Sequence, residues 1–285
     1  MTATPLISAA EMMALLREGT QPLLSCDCSF DLADPAAGRR AFEAGHLPGA
    51  TYCDLDADLS GAKTGRNGRH PLPQREDFGA RLAALGADDS TLLIAYDGAG
   101  GMYAARLWWM ALWAGHERVR VLDGGIAAWR AAGGAIETGP PRLRLPGTLS
   151  LRPRRVAAVD YPALREGLGQ GRRLIVDARA ADRFRGENET LDPVAGHIPG
   201  AANRCFRDNL GADNCFKSAE QLRGEWLALM AGRVPGELVQ QCGSGVTACH
   251  NLLAMATAGL PGSELYPGSW SEWCAQPGAP IARGD

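Results

Sequence analysis

No run of apolar residues in this sequence approaches the ~18 that a membrane-spanning helix requires. The longest strongly apolar stretch lies around Trp108–Ala114. Charge of one sign is also lacking: 29 Lys and Arg face 32 Asp and Glu, a formal net of −3. No overall basic field therefore draws nucleic acid or an anionic membrane surface. The opening Met1-Thr2-Ala3-Thr4-Pro5 lacks the basic and apolar regions of a secretion signal. Eight cysteines in 285 residues are too dilute for a disulfide framework, and no two stand in a C-x2-C pair. Reduced thiols, a cytoplasmic location and no zinc site are the expectation. What the chain has in quantity is turn formers, 36 glycines and 18 prolines.

Internal repetition organises the rest. Gly45-His46-Leu47-Pro48-Gly49-Ala50 returns as Gly196-His197-Ile198-Pro199-Gly200-Ala201. The stretch Leu122–Trp129 returns as Tyr266–Trp273. Between these landmarks, Leu92–Tyr96 runs into Asp97-Gly98 as Glu237–Gln241 runs into Cys242-Gly243. The order is kept with small drifts, as in a duplicated domain with loop insertions. Short apolar runs (Leu23–Cys26, Leu92–Tyr96, Val119–Leu122, Leu174–Asp177, Leu238–Gln241) have the length of buried strands. Helical segments are expected between them at Ala9–Arg17, Arg75–Leu85, Ala104–Trp113 and Ile126–Ala132, then at Tyr161–Gly167, Ala219–Met230, Ala248–Ala258 and Trp270–Cys274. Strands alternating with helices predict an α/β fold of two tandem domains, each a mostly parallel sheet covered by helices on both faces. Residues 1–138 form the first domain, the proline-rich stretch 139–155 a linker, and 156–285 the second domain.

The segment Gln241-Cys242-Gly243-Ser244-Gly245-Val246-Thr247-Ala248 carries the chemistry. A buried strand delivers Cys242 to its carboxyl end, where functional groups of such folds collect. Two glycines let the backbone curl, and a helix begins near Ala248. A curl of this kind turns N–H groups inward and adds helix-terminal potential, which favours an anion, a thiolate included. The hydroxyls of Ser244 and Thr247 supply further donors. A cysteine phosphatase would need arginine at C-x5-R; five residues past Cys242 stands Thr247, followed by Ala248, so that chemistry is excluded. Asp97 takes the place of Cys242 in the first half. A carboxylate cannot carry transferable sulfur, so the first domain is expected to be non-catalytic. His46 and His197 recur in both copies and are read as structural, as is His250 on the helix after the loop. Trp108, Trp109 and Trp113 read as a packing stripe.

The loop Cys242–Thr247 resembles the active-site loop of the 3-mercaptopyruvate sulfurtransferases within the tandem-domain rhodanese (thiosulfate sulfurtransferase) family. The resemblance extends through Gly45–Ala50, Asp54-Leu55-Asp56, Asp177-Ala178-Arg179, Arg183-Phe184-Arg185-Gly186, Gly196–Ala201 and Gly268–Trp273. It implies a persulfide on Cys242. Sulfur would come from a small anionic donor and leave to cyanide or a thiol, a thioredoxin-like protein among them, with no metal or organic cofactor. It further implies that Arg183 binds the donor's anionic end, with Arg185, Gly243, Gly245, Val246 and Thr247 around the donor. Ser244, His70 and Asp56 would act together in catalysis. One position departs: Asp192 stands where the mercaptopyruvate enzymes commonly carry a second arginine. The small, neutral loop favours 3-mercaptopyruvate, the missing arginine favours thiosulfate, and the loop is given more weight. A non-enzymatic persulfide carrier or thiol sensor would use the same cysteine without donor-specific turnover.

Overall fold

The computed structural model describes residues 4–285, which cluster into two units that are not contiguous in sequence. The first comprises residues up to Ser60, Pro73–Arg155 and Ala212–Phe216; the second comprises Gly61–Leu72, Val156–Gly211 and Lys217–Asp285. The stretch 139–155 thus packs with the first unit. Residues 61–72, which sequence order places in the first half, pack with the second.

In the first unit the strands β1 (Leu6–Ile7), β2 (Leu23–Asp27), β3 (Thr51–Tyr52), β4 (Leu92–Tyr96) and β5 (Val119–Leu122) form a sheet. Their order is β1-β5-β4-β2-β3, parallel throughout. Every residue of β4 is buried, which explains its unbroken apolar run. Leu92, Ile94 and Tyr96 pack with Ala9 and Met12 of α1 (Ala9–Glu18), Phe42 of α2 (Ala37–Ala44) and, beyond α3 (Arg75–Ala84) and α4 (Ala104–Ala114), Trp129 of α5 (Gly125–Ala131). Leu93 and Ala95 point the other way, because side chains alternate along a strand; α4 packs against β4 and β5. Ser8 caps α1 in a capping box with Glu11, and Gly19 ends it in the left-handed conformation.

The second unit repeats the plan. Its strands β6 (Leu174–Asp177), β7 (Ala202–Asn203), β8 (Leu238–Gln241) and β9 (Glu264–Leu265) lie in the order β7-β6-β8-β9, again parallel. A single parallel bridge, Ala158 to Leu265, stands where the first sheet has β1. One face is covered by α6 (Tyr161–Glu166) and, after α7 (Ala181–Arg185), α8 (Ala219–Met230) and α9 (Thr247–Thr257), by α10 (Ser269–Trp273). There Leu164, Ile175, Val239, Tyr266, Trp270 and Trp273 form the core. α9 packs on β8 from the other side, with α8 against α9.

The duplicated G-H-[LI]-P-G-A turns show how closely the plan repeats. His46 stacks on Phe42 at 3.9 Å and its Nδ1 lies 2.8 Å from the Phe42 carbonyl. His197 stacks on Phe184 at 3.8 Å with Nδ1 2.8 Å from the Phe184 carbonyl. Both rings are buried and used by packing. Among the described residues, no helix is long and apolar enough to cross a membrane.

Candidate active site

Strand β8 ends at Gln241 and hands the chain to Cys242, whose side chain is buried. The loop then turns at Gly245, with φ +75°. A Cβ there would stand 2.3 Å from the Pro267 carbonyl oxygen, so only glycine fits. The Gly245 N–H donates to Cys242 Sγ at 3.1 Å, and α9 starts two residues later without a side-chain cap. The sulfur therefore lies in a field of backbone dipoles suited to negative charge.

A second segment braces this loop. Ser269 accepts the Cys242 N–H at 3.1 Å and donates its hydroxyl to the Tyr266 carbonyl at 2.9 Å. The N–H groups of Trp270 and Ser271 donate to the carbonyls of Cys242 and Gly243, both at 2.9 Å. Ser269 holds φ +53°, a left-handed conformation that costs a non-glycine residue on the order of 1 kcal/mol. The matching residue in the first unit is Gly125, at φ +56°. The serine is retained where its hydroxyl has a hydrogen bond to accept. The repeat that signals this segment in the sequence marked only the fold; its bracing of the cysteine is a tertiary fact.

His70 and Ser244 come together. His70 Nδ1 lies 2.8 Å from Ser244 Oγ, and both residues are buried. His70 is carried by the 61–72 segment of the second unit, and Arg69 beside it donates its N–H to Ser271 Oγ at 3.0 Å. Asp56 belongs to the first unit, in the turn after β3, where its N–H donates to Asp54 Oδ1.

Two guanidinium groups face the loop. A Cβ on Gly243 would meet Arg69 Nη2 at 2.7 Å and Arg183 Nη2 and Nη1 at 3.6 and 3.7 Å. Arg183, on α7, is gripped by Glu189 through Nε at 3.2 Å and Nη2 at 2.8 and 2.9 Å. Arg69 Nη1 is ion-paired with Asp192. Burial pushes the Asp192 carboxyl up, against the pull of Arg69. Burial also acts to raise Glu189, but its bonds from Arg183 and from the Leu191 and Asp192 N–H groups win and hold it low. Arg185 is not brought to the loop. Two residues along a helix turn a side chain by about 200°, and Arg185 pairs instead with Glu187 at 2.7 Å on the surface. Arg69 is the residue that sequence reasoning missed.

In the first unit the corresponding loop is already filled. Asp97, fully buried, accepts the N–H groups of Ala99, Gly101, Tyr103 and Ala104 at 2.7, 2.9, 2.8 and 2.9 Å. The same turn thus points backbone N–H groups at an acceptor in both copies, the carboxyl of Asp97 in one and the sulfur of Cys242 in the other.

The profile of the rhodanese-like domain matches this chain twice, over residues 8–132 and 160–276. The chain belongs to the rhodanese family. This rhodanese is 46% identical over 287 residues to a probable 3-mercaptopyruvate sulfurtransferase of Pseudomonas aeruginosa, covering 100% of each chain. It is 37% identical over 282 residues to a putative thiosulfate sulfurtransferase, SseB, of Mycobacterium tuberculosis, covering 98% of this chain and 97% of that one. The crystal structure of SseA from Escherichia coli, described as a 3-mercaptopyruvate sulfotransferase, superposes with a TM-score of 0.79 at 29% identity, covering 94% of this rhodanese and 99% of SseA.

The remaining candidates of this rhodanese are structural. His250 is buried and accepts from Asn209 Nδ2 at 3.2 Å, an amide that also donates to Asn251 at 2.7 Å. Trp270 and Trp273 are fully buried, and Arg179 stacks over Trp270 at 4.8 Å. All eight cysteines are free thiols. Among the described residues no group of three or more His, Cys, Asp or Glu is arranged to hold a metal.

Proposed function

We propose that Cys242 carries the sulfur in the sulfur-transfer reaction of this enzyme, taking it from a small anionic donor, 3-mercaptopyruvate in preference to thiosulfate. The observation that supports this most directly is the Gly245 N–H aimed at Cys242 Sγ at the head of α9. The thiolate attacks the donor's sulfur, forming the Sγ–S bond. For mercaptopyruvate the C–S bond breaks and its electron pair leaves as the enolate of pyruvate, which takes a proton. For thiosulfate the S–S bond breaks and sulfite leaves with the pair. Cyanide or a thiolate then attacks the outer sulfur and the Cys242 thiolate returns.

The loop N–H groups stabilise negative charge on sulfur through both transfers. Arg183 binds the donor's fixed charge and orients its sulfur. Ser244, two residues along the loop from Cys242 and in contact with His70, suits delivery of the proton to the enolate. Asp56 enters this proton path by family resemblance alone. A thioredoxin-like acceptor and a cytoplasmic location belong to the same reading, and the Asp97 copy is non-catalytic in it. Thiosulfate is the second reading, favoured by the paired guanidinium groups over Gly243.

The test is steady-state turnover of each donor with cyanide, followed as thiocyanate, together with mass spectrometry of the donor-treated protein. The expected result is one added sulfur on the Cys242 peptide and a larger kcat/KM for 3-mercaptopyruvate. A thiosulfate preference of tenfold or more reverses the choice of donor. Loading of Cys242 without turnover makes the protein a persulfide carrier.

A further inference from the structure

We infer that Arg69 is a donor-binding residue of the Cys242 site, a second guanidinium supplied from the 61–72 segment and held in place by Asp192. The inference rests on the sulfur-transfer reading above and assigns a residue that neither the loop nor the R-F-R-G motif contains.

Three observations carry it. Arg69 Nη2 is nearer to the loop backbone than either terminal nitrogen of Arg183, at 2.7 Å against 3.6 and 3.7 Å from the Cβ position of Gly243. Asp192 engages Nη1 alone, and Arg69 Nε is buried with no hydrogen-bond partner. The Arg69 side chain is 27% exposed while that of Asp192 is 2% exposed, so the arginine, and not the carboxylate that holds it, is accessible to an incoming anion. An unsatisfied buried donor on a charged group is costly unless a ligand meets it. A carboxylate offers two coplanar oxygens and the SO3 group of thiosulfate three on a tetrahedral sulfur, so either accepts from two guanidinium groups at once.

The arrangement also resolves the departure at Asp192. Glu189 and Asp192 pair with Arg183 and Arg69, and Glu189 also meets Arg179, itself bound to Asp177, so the linked network balances three guanidinium groups against three carboxylates. Asp192 here positions an arginine in place of being one.

The experiment compares Arg69→Met and Arg69→Lys with wild type, using each donor with cyanide. Loss of one charge-assisted contact raises the donor KM by about 10- to 150-fold. The kcat and the cyanide KM stay within a few fold, and Arg69→Lys recovers part of the loss. Persulfide-loaded enzyme discharges to cyanide at the wild-type rate, because the donor has already left. Asp192→Asn keeps an oxygen for Nη1 and does not raise the donor KM, whereas Asp192→Ala does. Protection of Cys242 from iodoacetamide by pyruvate or sulfite reads anion binding without turnover, and Arg69→Met weakens it in parallel. A donor KM and a protection constant both within twofold of wild type overturn the assignment. Equal losses in kcat and in discharge rate overturn it too, reducing Arg69 to a brace for the loop. If wild type forms no persulfide with either donor, the sulfur-transfer reading fails, while the protection measurement still decides whether Arg69 binds an anion.

Discussion

His70 Nδ1 and Ser244 Oγ are 2.8 Å apart, although 174 positions of sequence separate them. The histidine comes from a segment that lies in the first half of the sequence and packs with the second unit. The hydroxyl comes from the loop of the reacting cysteine. In the proton-delivery role proposed for this pair, the hydroxyl would exchange its proton with the ring nitrogen, and the consequences differ between donors.

Ser244→Ala and His70→Gln should each lower kcat with 3-mercaptopyruvate by about 10²-fold or more, the range of a lost proton-transfer group. Sulfite leaves thiosulfate without a proton, so turnover of that donor should change by less than tenfold. The double variant should be no worse than the poorer single one, because the two groups act as a unit. Parallel rate measurements with both donors check this; equal losses for both would remove the pair from proton delivery.

Cys242→Ser should abolish turnover with either donor while leaving the unfolding midpoint near that of wild type. The hydroxyl replaces the thiol with little change in shape but forms no persulfide. Circular dichroism melts beside the thiocyanate assay distinguish this from misfolding.

Ser244→Lys should move the ratio of kcat/KM values toward thiosulfate, since an added ammonium at the loop suits a dianion. Asp192→Arg, in contrast, should fail to improve mercaptopyruvate binding. Asp192 is ion-paired with Arg69, and a third guanidinium in that place would repel the one already there. Donor KM values for the two variants test both statements.

Asp97→Ala should destabilise the first unit by roughly 3 kcal/mol or more, because buried N–H groups left without an acceptor cost about 1–3 kcal/mol each. Four of them now meet that carboxylate. Urea unfolding should show an earlier transition for the variant, and an unchanged midpoint would mean that the loop rearranges to satisfy itself.

Asp27, buried at the end of β2, has its carboxyl pushed up to about 6, chiefly by desolvation. Its folded value lies above the unfolded one, so the folded state binds the extra proton. Stability should therefore fall as pH rises from about 4 to about 6 and change little from this group above that. Asp27→Asn should flatten that slope and add on the order of 2–3 kcal/mol at pH 8. Unfolding free energies measured from pH 4 to 8 give the slope directly.

The strands β4, β5, β6 and β8 were legible to the residue because each carries a short apolar core, unbroken in β4, interrupted by Arg120 in β5 and ended by Asp177 in β6 and by Gln240-Gln241 in β8. The helix α2 was not. Its sequence, Ala-Gly-Arg-Arg-Ala-Phe-Glu-Ala, buries one large side chain, Phe42, too little to mark a helical period. The helix α7 and the two-residue strands β1, β3, β7 and β9 fall below the length at which periodicity exists. The loop of Cys242 was legible because a thiol, two glycines and a helix start are contiguous. Arg69 was not, although its neighbour His70 was, because nothing local in Gly68-Arg69-His70-Pro71 shows which half of the protein the segment joins. Arg185 was overread for the converse reason: adjacency in a motif hid the helical rotation that carries it to Glu187.

The carboxylate locked in the first loop makes that copy complete from the moment it folds, with no vacancy for a visitor. On the reading proposed for Cys242, its twin would reach the same saturation only while an electron-rich sulfur rests among the dipoles, and would lose it as that sulfur departs. On that reading one architecture exists in this chain as a finished object and as a turnstile. The difference between them is a single side chain that either stays attached to its cargo or lets it go.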